Sequence, residues 1–62
     1  MINILLADDD ILTLNQLNLL IAAMKSYKIT GQVQDGLAVV SFLREAREPV
    51  HILILDVEMP GM

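Results

Sequence analysis

The run Ile52-Leu53-Ile54-Leu55 constrains this chain more than any other stretch, because it is apolar at both parities and then stops at Asp56. A strand with one face in water alternates apolar and polar residues. A run apolar at both parities is expected of a strand covered on both faces in a parallel sheet. The Pro60-Gly61 pair that follows fits the centre of a type II turn. Ligands of open α/β sheets bind just beyond the carboxyl ends of the strands. Asp56 therefore stands where chemistry is expected; the plainer alternative is a carboxylate that only starts a turn.

Upstream of that run, Ile2 to Ala7 reads as a first strand broken only by Asn3, and Asp8-Asp9-Asp10 ends it abruptly. Asp10 is placed to cap a helix over about Ile11 to Met24, where N–H groups favour a carboxylate. Leu14, Leu17, Leu20, Ile21 and Met24 give that helix one apolar stripe, which Leu12, Leu19 and Ala23 broaden. Lys25-Ser26-Tyr27 is the connection to a second strand, Lys28 to Val33. Its weak alternation, with Gly31 inside it, suggests an edge. Asp35-Gly36 is a turn and helix-start signal. The second helix, Leu37 to about Arg47, carries Val39, Phe42, Leu43 and Ala46 on one face, with Arg44, Glu45, Arg47 and Glu48 as a solvated end. Pro49 stops it.

The order β-α-β-α-β calls for parallel strands joined by right-handed crossovers. Strands one and three are the most apolar and strand two the weakest, which favours strand one in the middle. The expected fold is thus α/β, a parallel sheet in the order 2-1-3 with helices on both faces. That order puts the switch point between strands one and three and brings Asp8, Asp9 and Asp56 together.

Composition narrows the function classes. Sixty-two residues allow one small domain, and 55% hydrophobic content excludes disorder. A net charge of −4 gives no reason to expect nucleic acid or an anionic membrane as a partner. Without cysteine there is neither a disulfide nor a thiolate metal site. The longest apolar run, Leu19 to Met24, is far too short to span a membrane, and no signal-peptide pattern opens the chain. A cytoplasmic protein is the expectation. No repeat, linker or low-complexity segment occurs.

Carboxylates gathered at one crevice repel one another by several kcal/mol at an effective dielectric of about 20, so one protonates or a cation sits among them. All-oxygen ligands favour a hard ion, Mg²⁺ above all. A carboxylate beside Mg²⁺ can act as a nucleophile toward a phosphoryl group. Taken alone, Asp8 to Asp10 also fit a solvated helix cap.

Three segments carry a family resemblance. Leu5-Leu6-Ala7-Asp8-Asp9-Asp10 resembles the acidic pair that closes strand one of response-regulator receiver domains, the phosphorelay modules of two-component signal transduction. Val33-Gln34-Asp35-Gly36 resembles their start to helix two. Ile52 to Met62, with Asp56-Val57-Glu58-Met59-Pro60-Gly61, resembles their phosphoacceptor segment. The spacing agrees along all 62 residues, which together resemble the amino-terminal portion of a single receiver domain of flavodoxin-like fold. The resemblance implies a phosphoprotein rather than a turnover enzyme. Asp56 matches the aspartate phosphorylated from the phosphohistidine of a sensor histidine kinase or phosphotransfer protein. Asp9 matches a direct Mg²⁺ ligand and Asp8 an acidic neighbour acting through water. Glu58 matches the position that offers its backbone carbonyl to the metal, and Pro60 and Gly61 the rim of the pocket. Asp10 matches a variable position and reads as a cap.

The chain also departs from the family. A complete receiver has two further strands and three further helices, which carry its switch hydroxyl and its phosphate-pairing lysine. Lys25 and Lys28 belong to the other end of the sheet and do not substitute. Strand three would then keep an open apolar edge, and the expectation is self-association through it or disorder. The competing reading is a truncated receiver that acts only as an interaction module. A phosphatase of the haloacid-dehalogenase type would use Asp8 and Asp10, but its pattern asks for Thr or Val where Leu12 stands. A flavodoxin-like cofactor binder lacks its Ser/Thr/Gly-rich phosphate loop, and an EF-hand lacks its Gly and closing Glu. His51, the one histidine, precedes Asp56 by about 16 Å of extended chain, so it reads as a surface residue at the start of the strand rather than a phosphodonor.

Overall fold

Strand β1 (Ile2–Ala7) is the element on which the rest is built: Leu5 and Leu6 are its most deeply buried side chains, and Ile4 and Ala7 are buried beside them. The computed structural model describes residues 1–55. The remaining elements are α1 (Ile11–Ala22), β2 (Tyr27–Val33), α2 (Gly36–Glu45) and β3 (Ile52–Leu55). The three strands form one parallel sheet in the order β2-β1-β3, the order expected from the ranking of strand hydrophobicity.

Because side chains alternate along a strand, β1 feeds two cores. Ile4 and Leu6 pack with Leu14 and Ile21 of α1, joined by half-buried Leu17, Tyr27 and Ile29. Leu5 and Ala7 pack with Val39 of α2, joined by Val33, Phe42, Val50 and Leu55. The two helices therefore cover opposite faces.

Strand β2 is an edge, as its weak alternation suggested, but that pattern has a further cause. Ile4 pairs with Ile29 and Leu5 with Gly31, so Thr30 is an extra residue in the ladder. One extra residue reverses the parity. Tyr27 and Ile29 thus face α1, while Val33 packs on the α2 side. At the bulge the Phe42 ring lies over Gly31, where an added Cβ would come within 2.6 Å of Cζ. A side chain there would require the Phe42 ring to shift.

Several expectations are corrected. α1 ends at Ala22, before Met24, and Leu20 is 67% exposed because it lies about 100° round the helix from Ile21. Leu12 and Leu19 do not broaden the buried stripe. They sit on the far side of the helix, more than two-thirds exposed. Tyr27 opens β2 instead of closing the connection. α2 stops at Glu45 because Ala46 turns extended (φ −64°, ψ 130°), three residues before Pro49, so Ala46 leaves the apolar face. Leu43, on the expected apolar face, is nearly half exposed. Strand β3 is not covered on both faces: Ile52, Leu53 and Ile54 are each 37–39% exposed. As the outer strand, among the described residues it has only β1 as a neighbour. No helix among the described residues is long and apolar enough to cross a membrane.

Candidate functional site

Parallel strands joined through helices give the sheet two chemically different ends. At the carboxyl end, the Asp8 N–H donates to the Val33 carbonyl at 3.1 Å, extending the β1–β2 ladder one residue beyond the strand. The half-buried Asp8 backbone is therefore held. Its Oδ1 accepts from the Asp10 N–H at 2.9 Å, an Asx turn that redirects the chain into α1.

Asp10 is the helix cap expected from its position. Its backbone is extended (φ −98°, ψ 110°), Oδ1 accepts from the Leu12 N–H at 3.1 Å and Oδ2 from the Thr13 hydroxyl at 2.9 Å. Both of its oxygens are engaged within the helix start. Asp9 lies between the two, exposed, and its carboxylate makes no hydrogen bond among the described residues. Asp35 repeats the capping role for α2, accepting from the Ala38 N–H at 2.7 Å. Three adjacent aspartates thus divide into a turn-former with one oxygen left over, an unengaged carboxylate and a cap.

The positive charges are elsewhere. Lys25 and Lys28 lie at the α1–β2 connection and the start of β2, and Arg44 and Arg47 at the α2 end and the connection that follows. All four basic residues of the chain are therefore at the amino end of the sheet. Asp8, Asp9, Asp10 and Asp35 stand at the other end with no cation beside them, an arrangement that concentrates a field attractive to cations.

Asp56 and Glu58, the expected phosphoacceptor and the carbonyl ligand, lie outside the described residues, as do Pro60 and Gly61. Their immediate attachment is described: Ala7 and Leu55, which precede Asp8 and Asp56 in the chain, are register partners. Among the described residues alone, no three His, Cys, Asp or Glu side chains are grouped to hold a metal ion. The spare Asp8 oxygen and the Asp9 carboxylate are hard oxygen donors, the kind that ions such as Mg²⁺ take.

The amino end holds a set of contacts between residues distant in the sequence. Asn3, only 7% exposed, donates through Nδ2 to the Pro49 carbonyl at 2.9 Å and to Glu48 Oε2 at 3.5 Å. Its backbone N–H donates to His51 Nδ1 at 2.9 Å, and its carbonyl accepts from the His51 N–H at 2.9 Å. Glu48 also meets Lys28 Nζ at 3.4 Å, so it is not merely part of a solvated helix end. The one polar residue inside an otherwise apolar strand was the available signal. His51 is exposed at the start of β3, as expected.

Comparison with protein-family models, curated proteins and solved structures gives no match. The residues carry the functional reading by themselves.

Proposed function

We propose that this chain is the amino-terminal portion of a cytoplasmic response-regulator receiver, accepting a phosphoryl group on Asp56 from a sensor histidine kinase or phosphotransfer protein. The single observation that supports it most is the register of β3 on β1. Ala7 and Leu55 are paired, each is followed directly by an aspartate, and successive Cα atoms are about 3.8 Å apart. The different fates of Asp8, Asp9 and Asp10 support it as well, since only the first two keep oxygens for a ligand.

In this reading Asp8, Asp9, Asp56 and the Glu58 backbone carbonyl would hold Mg²⁺. When bound, the ion supplies charge neutralisation for the phosphoryl oxygens. The Asp56 carboxylate oxygen attacks phosphorus as the P–N bond to the donor imidazole breaks, leaving an acyl phosphate and a histidine that recovers its proton from solvent. Asp8 is held in place through its backbone bond to Val33. Asp10 contributes by fixing where α1 begins. The receiver reading stands or falls on offering the chain a small-molecule phosphodonor with Mg²⁺ and weighing the intact protein. One phosphoryl adduct is expected, absent in Asp56→Asn and absent without the metal. No adduct on the wild-type chain rejects it.

A second reading is favoured by one observation, the exposure of Ile52, Leu53 and Ile54 on an outer strand. There the chain is an interaction module that pairs through β3 with another copy and transfers no phosphoryl group. Sedimentation that shows a concentration-dependent dimer, together with an unmodified Asp56, would favour it.

A further inference from the structure

We propose that Asn3 and His51 form a clasp that seats β3 on β1 only while the His51 ring is unprotonated at Nδ1, so that acidification loosens the strand leading to Asp56. The functional half of this statement rests on the receiver reading; the clasp itself does not. A backbone N–H can only donate, so the 2.9 Å contact from Asn3 N to His51 Nδ1 requires a lone pair on that nitrogen. The ring proton then sits on Nε2. An imidazolium carries a proton on both nitrogens and turns this contact into two donors facing each other.

The position of the clasp gives it leverage. In a regular parallel ladder the N–H of a residue at this point bonds to a carbonyl of the neighbouring strand. Here the Pro49 carbonyl is taken by the Asn3 side chain, and the imidazole stands in as the acceptor. The complementary bond, from the His51 N–H to the Asn3 carbonyl at 2.9 Å, closes a two-residue ring. The ladder pairs that follow, from Ile4 with Ile52 to Ala7 with Leu55, inherit their register from it. β3 contributes only four residues, of which Ile52, Leu53 and Ile54 stay partly exposed, so one terminal bond is a large share of what holds it.

The charged groups around the clasp are Glu48, from the connection before β3, and Lys28, from β2; they are paired with each other, and β1 contributes the neutral Asn3. The ring is exposed to solvent, so protons reach it freely. Imidazole side chains ordinarily change charge near pH 6.5. The geometry fixes the sign: the contact needs an unprotonated Nδ1, so the contribution of the clasp falls as pH falls.

The test is amide exchange and ring-nitrogen NMR between pH 8 and pH 5, on the wild-type chain and on His51→Asn. The Asn side-chain oxygen occupies the place of Nδ1, the same number of bonds from Cβ, and accepts at every pH in this range. At pH 8 the ring-nitrogen shifts should report a proton on Nε2 alone. On acidification, protection of the Asn3 and Leu5 amides, the ones β1 turns toward β3, should drop about fivefold, the size of one hydrogen bond, and His51→Asn should keep it. Equal protection at both pH values, after correction for intrinsic exchange, overturns the clasp, as does a ring protonated on Nδ1 at pH 8. The ring-nitrogen result needs no variant, so it decides the matter even if His51→Asn folds poorly. Mg²⁺-induced amide shifts near Asp9, larger at pH 8 than at pH 5 in the wild type and equal in His51→Asn, are the expected sign of coupling. A wild-type chain blind to Mg²⁺ at pH 8 overturns the coupling and the receiver reading, while the exchange data still decide the clasp.

Discussion

The two ends of the sheet use polar residues in opposite ways. At the amino end, Asn3, Glu48, Lys28 and His51 satisfy one another across three strands. At the carboxyl end Asp10 is spent on a cap, but Asp9 meets no protein group among the described residues. Polar groups that satisfy each other belong to the fold. A charge gathered with its like and left unmatched answers no folding need, and such exceptions concentrate at functional sites. The contrast implies that substitutions at the amino end should be read in stability and those at the carboxyl end in ligand response.

Asn3→Ala should give the largest effect. It strands the Pro49 carbonyl and leaves a small void on the α2 side, at a cost of about 2 kcal/mol. A chain this small has little stability in reserve, so the loss should appear as a large drop in the urea midpoint with an unchanged slope. Should Asn3→Ala unfold at the wild-type midpoint, the amino end is not the tied end and the contrast fails.

Next in size is Asp10→Ala. Removing both acceptors from the start of α1 should cost about 1 kcal/mol, read by thermal or urea unfolding. The Mg²⁺ response should survive, because neither oxygen of Asp10 is available to a metal. Loss of that response in a folded Asp10→Ala chain would move Asp10 from the cap into the metal site and blur the division among the three aspartates.

Much of this arrangement is legible in the sequence, for identifiable reasons. The strand order follows from comparing how apolar three short runs are, and the Asp10 cap from an aspartate set before helical periodicity, while Asp35-Gly36 marks only where the second helix starts. What was not legible depends on non-local partners. Nothing in Ile29-Thr30-Gly31 announces a bulge, because the extra residue exists only relative to β1. Hydropathy adds Leu12 and Leu19 to the apolar stripe of α1 because it marks a residue's character and not its direction. The width of the buried stripe is set by how much of α1 the sheet covers. In the sequence Asn3 is only a break in an apolar strand, since its partners lie more than 40 positions away. At the candidate site, the role of Asp10 was readable because a cap is local. Whether Asp8 and Asp9 serve a metal depends on strand-to-strand register, of which Ala7 with Leu55 is the described part.

The smallest effect is also the one that separates a chemical carboxylate from a decorative one, because two forces act on Asp9 with opposite signs. Standing just ahead of α1, its charge is favoured by the helix N-terminus, by a few tenths of a kcal/mol for an exposed group. Standing between Asp8 and Asp10, and near Asp56 if the receiver reading holds, it is disfavoured by repulsion of similar or greater size. The cap contacts already show where the helix N–H groups point, and they point at Asp10. Repulsion should therefore win. Asp9→Asn should stabilise the chain by about 0.5 kcal/mol in the absence of divalent ions. The gain should shrink as monovalent salt screens the cluster. Adding Mg²⁺ should reverse the ranking, because a cation that binds the folded state stabilises only the chain that keeps the ligand. A crossover between the two melting temperatures on titrating Mg²⁺ is the expected result. If Asp9→Asn is the less stable chain at every Mg²⁺ concentration, down to none, the carboxylate serves the helix, and the carboxyl end is as structural as the amino end.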